Sequence, residues 1–204
     1  MASAALDILE RPEWVRASSS VLARHGACCD RARAWLAAMG RSHDFAATDG
    51  LAYAAPRWLC ERYTWGPTRW PLAWCEAVQS KTIDCGVFAA FALEIFRAKG
   101  VTAYPAQVLR TYAPESTTHW QHKWAGLPEA FNWIGASVVY HEVCVVQSGE
   151  LARIYDPTDG VWLDPSIKRG HGGHIAIRAE LPVALSWGSH KLVNGQWTRM
   201  TAGA

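Results

Sequence analysis

The chain has no apolar run approaching the ~18 residues that a membrane-spanning helix needs. It has no Lys/Arg run of four residues and no CxxC pair. The first absence speaks against a membrane span. The second, with a formal net charge of only +2, makes nucleic acid a poor partner. The third speaks against a structural zinc site. Charged residues are scarce at 19%, whereas half of the 204 residues are hydrophobic, so a sizeable core can form. From Met1 to Val15, Asp7, Glu10, Arg11 and Pro12 stand where a secretory signal would place an apolar run. The expectation is a soluble, cytoplasmic protein. Six cysteines (Cys28, Cys29, Cys60, Cys75, Cys85 and Cys144) show no regular spacing, which suits free thiols better than a disulfide framework. Twelve tryptophans are available to fill the core or line an aromatic cleft.

Residues 1–56 read as a helical extension packed on the core, and residues 57–204 as a single compact unit. In the extension, apolar positions from Val21 through Cys28, Ala32 and Trp35 to Met39 recur every three or four residues, and Gly40 is the expected stop. Trp58 to Tyr63 suits a short helix. From 84 to 99, Val87, Phe88, Phe91, Ile95 and Phe96 form a broad apolar stripe. Asp84 or Thr82 can cap its start, and Gly100 ends it.

Val101 to Leu109 reads as a strand, and residues 111–135 as a long loop or insertion with room for a short helix. Ser137 to Val146 and Leu151 to Asp156 read as two strands joined by the turn 147–150. Residues 168–174 read as a glycine-rich loop. Further strands are expected at 175–179, 183–187 and 190–198. Helices first, then an antiparallel sheet, define an α+β fold.

Three side chains in this pattern suit nucleophilic catalysis. Cys85 heads the helix, where unsatisfied N–H groups favour a thiolate and a lowered pKa. His141 shares a strand face with Val139, Val143 and Val145. Asp156 closes the next strand, and pairing about the 147–150 turn is expected to set it opposite His141. Cysteine as nucleophile, histidine as base and aspartate as orienting acid is triad logic. The backbone N–H of Cys85 can meet the oxyanion, with the side chains of Gln79 and Trp74 as further donors.

These residues resemble the transglutaminase-like branch of the papain-like cysteine superfamily. The likeness rests on Asp84-Cys85-Gly86 at a helix start, His141 in a strand and the Tyr155-Asp156-Pro157-Thr158 step, within residues 79–165. It implies a papain-like fold with helices packed on an antiparallel sheet, and a Cys85–His141–Asp156 triad. Gln79 has the lead over the cysteine that papain-type enzymes give their oxyanion glutamine. Departures from the pattern are Glu142, where an aromatic usually follows the histidine, and Gly86, where one usually follows the cysteine.

The expected activity is thiol-dependent acyl transfer. A Cys85 acyl-thioester forms from an amide, ester or thioester and passes to water or an amine. The substrate is a small-molecule, peptide or carrier-bound acyl group, and no cofactor or metal is called for. His119 and Trp120 are expected to line a substrate loop, with His119 and His122 as rival bases and Asp164 as a fallback acid. Two readings compete. One is a non-catalytic binding module that keeps the fold. The other is a metal-dependent hydrolase using loop histidines such as His171 and His174.

Overall fold

The computed structural model describes residues 26–42, 58–66, 68, 72–111, 115, 118, 133–134, 138–148, 151–163, 173–179, 185–187, 190–193 and 196–199. The architecture is α+β. Helix α1 (Ala27–Ser42) comes first, followed by a helical segment at 58–62 and strand β1 (Thr64–Trp65). Helix α2 (Trp74–Gln79), strand β2 (Thr82–Ile83) and helix α3 (Cys85–Ala98) follow. The remaining elements are strands: β3 (Ala103–Thr111), β4 (Trp133–Ile134), β5 (Val138–Ser148), β6 (Leu151–Asp156), β7 (Val161–Trp162), β8 (Gly173–Ala179), β9 (Leu185–Trp187), β10 (His190–Val193) and β11 (Gln196–Arg199).

The main sheet runs β7-β6-β5-β3-β8, all neighbours antiparallel, and β4 pairs with β5. Strands β9, β10 and β11 form a separate antiparallel sheet, and β1 and β2 a short parallel pair.

Helix α3 forms where its apolar stripe predicts. The side chain of Asp84 accepts a hydrogen bond from the N–H of Val87 at 3.0 Å and so caps the helix. Thr68 Oγ1 donates to the other oxygen of the same carboxylate and fixes it. Phe88, Phe91 and Phe96 are fully buried, and Phe96 meets Tyr155 of β6 edge to face at 5.7 Å. The Cys144 thiol of β5 donates to the Ala89 carbonyl at 3.6 Å. Strand alternation then turns Glu142, Cys144 and Val146 toward α3, and His141, Val143 and Val145 toward the other face. That second face is buried too, for Ala106, Val108, Val143, Val145 and Ile154 are all inaccessible.

The amino-terminal helix is integral to this core. Cys29 and Leu36 are fully buried in the cluster that holds the α3 phenylalanines. Arg33 of α1 reaches Glu94 of α3 through Nε at 3.2 Å and a terminal nitrogen at 2.6 Å, and Arg97 contacts the same carboxylate. The Arg33 guanidinium also lies 5.4 Å from the centre of the Trp74 ring, so one side chain ties all three helices together. A carboxylate this buried requires its cations, and losing them would leave an uncompensated charge.

Several expectations change. Gly40 does not stop α1, which continues to Ser42. A Cβ at position 40 would stand 3.0 Å from Ile95 Cγ2 and 3.2 Å from Ile95 Cα, so this glycine permits the close approach of α1 to α3. The span 111–135 is not all loop, since β3 reaches Thr111 and Trp133–Ile134 pairs with β5. Strand β5 runs on to Ser148, strand β8 begins at Gly173 inside the expected 168–174 loop, and residues 190–198 divide into β10 and β11.

Gly40→Ala gives a test of sign. Helix propensity alone predicts a gain of about 1 kcal/mol. The contact with Ile95 predicts a loss of about 1–2 kcal/mol, because backbone atoms would have to move apart. Urea unfolding of the two proteins distinguishes them.

Candidate active site

The site begins where β6 ends along β5. On one edge β5 pairs with β3 from Val138 to Val146. On the other edge it pairs with β4 at Val138 and Val139, and with β6 from Cys144 to Ser148. On that second edge β6 ends at Asp156, level with Val143, and the residues that precede β4 lie outside the described residues. Backbone groups of a central strand normally bond to both neighbours. The end of β6 beside His141 and Glu142 is the notch on which the site is built.

Asp156 is the residue on which β6 ends. Its register places it level with Val143, two residues short of His141, since Cys144 pairs with Tyr155 and Ser148 with Leu151. The direct pairing of His141 with Asp156 expected from a 147–150 turn is therefore shifted to a diagonal one. The contact survives the shift. His141 Nε2 lies 3.0 Å from Asp156 Oδ2, and the two side chains are 7% and 0% exposed. Diagonal neighbours on one sheet face remain within reach of a long side chain.

The other carboxylate oxygen, Oδ1, accepts from the Thr158 N–H at 3.0 Å. Gly160, at φ 68°, lets its N–H return to the Asp156 carbonyl at 2.9 Å and closes the turn. Both oxygens of Asp156 are thus held. A carboxylate only accepts, so Nε2 carries the hydrogen and Nδ1 is the ring nitrogen left to take a proton.

Cys85 approaches the notch from α3. It is the first residue of the helix and is 7% exposed. The Glu142 backbone N–H donates toward its sulfur, which sets the sulfur against the His141–Glu142 peptide. That N–H is available because β6 has already ended. The geometry of α3 agrees with this placement. Four residues from Cys85 to Ala89 rise about 6 Å along a helix, and two residues from Glu142 to Cys144 span about 6.6 Å along a strand. The helix and β5 therefore run side by side, in register at both points of contact.

The charge state of Cys85 reverses the expectation from its helix position. Burial raises its pKa well above the ordinary thiol value, and the carboxylates of Asp84, Glu142 and Asp156 raise it further. The Glu142 N–H opposes these effects and is outweighed. The resting residue is a neutral thiol, not a thiolate in a preformed ion pair. No hydrogen bond joins its sulfur to the ring of His141. Catalytic hydrogen bonds are often long without substrate and tighten when it binds.

The other expected site residues divide. Gln79 is exposed at the end of α2. Trp74 is buried at the start of α2 and stacks on Phe91 at 5.9 Å with an interplanar angle of 26°. Neither makes a hydrogen bond to Cys85. His119 and Trp120 lie outside the described residues, as do His122, Asp164 and His171, while His174 belongs to β8. The sequence reading missed Glu142 as a contributor. Its place beside His141 in a central strand was the available signal, since a buried carboxylate there has to influence its neighbours.

No protein-family model matches the chain, and no curated protein or solved structure is similar to it.

Labelling of Cys85 by iodoacetamide should be slow near pH 6. It should rise about tenfold per pH unit, without a plateau, to beyond the ordinary thiol value of 9.0. Glu142→Gln should speed it several-fold at any one pH. A rate that levels off below pH 7 would instead reveal a thiolate already formed. Peptide mapping of timed samples reads both outcomes.

Proposed function

We propose that the protein is a cysteine-dependent acyl-transfer enzyme with a papain-like, transglutaminase-like arrangement of its α+β fold. The observation that carries this reading is the buried 3.0 Å contact of His141 with Asp156, at the notch where the sulfur of Cys85 meets the Glu142 N–H. A buried histidine held by a carboxylate with both oxygens bonded is oriented for proton transfer.

The reaction starts from the neutral thiol. As an acyl substrate enters the notch, the thiol proton passes to His141 Nδ1 and the sulfur attacks the carbonyl carbon. Negative charge develops on the carbonyl oxygen. The first N–H groups of α3, on Cys85 and Gly86, have no partner within the helix and are placed to receive that charge. The imidazolium, stabilised by Asp156, protonates the leaving amine, alcohol or thiol. A Cys85 thioester remains. Water or an amine then attacks it, with His141 as base, and the free thiol returns. The substrate class is a small-molecule, peptide or carrier-bound acyl group. Among the described residues no helix is long and apolar enough to cross a membrane.

One observation favours a second reading. Burial and three nearby carboxylates hold Cys85 protonated, which also suits a non-catalytic binding module that keeps the fold. Intact-mass measurement against a panel of thioesters, activated esters and amides separates the two. The enzyme reading predicts one acyl adduct on Cys85, absent in Cys85→Ala and formed about 10²–10⁴-fold more slowly in His141→Ala. Adduct formation that ignores His141→Ala in a folded protein would overturn the triad. No adduct from any member of the panel would favour the binding module.

A further inference from the structure

A second group of thiols lies away from the notch, where α1 meets α2. Cys29 Sγ stands 3.8 Å from Cys75 Sγ. Cys28, next to Cys29 in the first turn of α1, also contacts the Cys75 sulfur. The three differ in access: Cys28 is exposed, Cys75 half-buried and Cys29 sealed. All three are free thiols, and they do not converge as a metal ligand set would.

A disulfide needs its sulfurs about 2.05 Å apart. The 3.8 Å separation of Cys29 and Cys75 sets the first turn of α1 against the Cys75 sulfur, and Cys28 of that turn contacts the same sulfur, so joining Cys28 to Cys75 takes side-chain rotation with little backbone movement. Contact with Cys28, burial and contact with Cys29 push the Cys75 pKa up to about 11, so Cys75 is a poor nucleophile toward reagents in solution. Attack on a neighbouring sulfur is a different matter, since proximity replaces a bimolecular encounter.

We propose that Cys28, Cys29 and Cys75 form a redox modification site that reacts with small-molecule disulfides, with Cys28 as the entry thiol and Cys75 as the resolving thiol. Cys28 loses its proton and attacks one sulfur of the disulfide, releasing one equivalent of small thiol and leaving a mixed disulfide. Cys75 then loses its proton, attacks the Cys28 sulfur and releases the second equivalent. Two protein thiols are oxidised to one disulfide while one small-molecule disulfide is reduced to two thiols. The product staples α1 to α2 and leaves Cys85 untouched, so this site stands independently of the acyl-transfer reading.

Oxidised glutathione is the probe, with acid quenching, alkylation of remaining thiols and peptide mapping as the readout. The wild-type protein should lose two thiols together and yield a peptide linking Cys28 to Cys75, with a melting temperature about 5–15 °C higher. Cys75→Ser should stop at the mixed disulfide on Cys28. Cys28→Ser should slow oxidation of the cluster at least tenfold, and Cys29→Ser should leave the linkage intact. The proposal is overturned if Cys75→Ser and wild type give the same products. It is also overturned if Cys29→Ser abolishes the crosslink while circular dichroism shows an intact fold, or if Cys75 oxidises as fast without Cys28.

Discussion

Everything at the site depends on β6 ending at Asp156, level with Val143 of β5. A backbone N–H in the middle of a sheet is normally consumed by its neighbour. Here β6 stops one residue short of Glu142, and the Glu142 N–H turns to the sulfur of Cys85. The same strand end brings Asp156 to His141. A longer β6 would cover the peptide and displace the thiol. A β6 one residue shorter would remove the carboxylate from the strand end that places it.

The remainder of the fold holds the start of α3 at that strand end. The phenylalanines of α3 anchor it to the face of the sheet formed by Cys144, Val146 and Tyr155. From the other side α1 presses on it closely enough to require Gly40, and Arg33 links it to α1 and α2 through the buried carboxylate of Glu94. A helix with this many constraints cannot drift, so its first residue stays beside the notch. The cost falls on the thiol. A site that seals a sulfur among three carboxylates suppresses the ionisation that a helix start would otherwise favour. Reactivity then has to come from proton transfer during substrate binding.

What the sequence revealed was local. The stripe from Val87 to Phe96 announced α3, Asp84 announced its cap, and the hairpin pattern announced β5 and β6. These signals lie within a few residues of one another, so chain periodicity carries them. What stayed hidden was set by contacts across long separations. Gly40 looked like a helix stop because its partner, Ile95, lies on another element. The register of His141 and Asp156 shifted because β5 ran two residues further than its apolar pattern suggested, which shortened the connection to β6. The end of β6 against Val143 could not be read at all, since it follows from that shifted register. The direction of the Cys85 shift was missed for the same reason. The helix start is visible in the sequence, whereas the convergence of Glu142 and Asp156 upon it is not.

The central claim is that Cys85, His141 and Asp156 act together where β6 ends. A crystal structure of the protein acylated on Cys85 by a slowly hydrolysed thioester tests it most directly. The account predicts the acyl sulfur within hydrogen-bond reach of the Glu142 N–H, His141 Nδ1 turned toward it, the 3.0 Å contact to Asp156 retained, and the acyl oxygen directed at the first N–H groups of α3. An adduct projecting away from the His141 ring, with the ring still packed among the valines of β5, would contradict it.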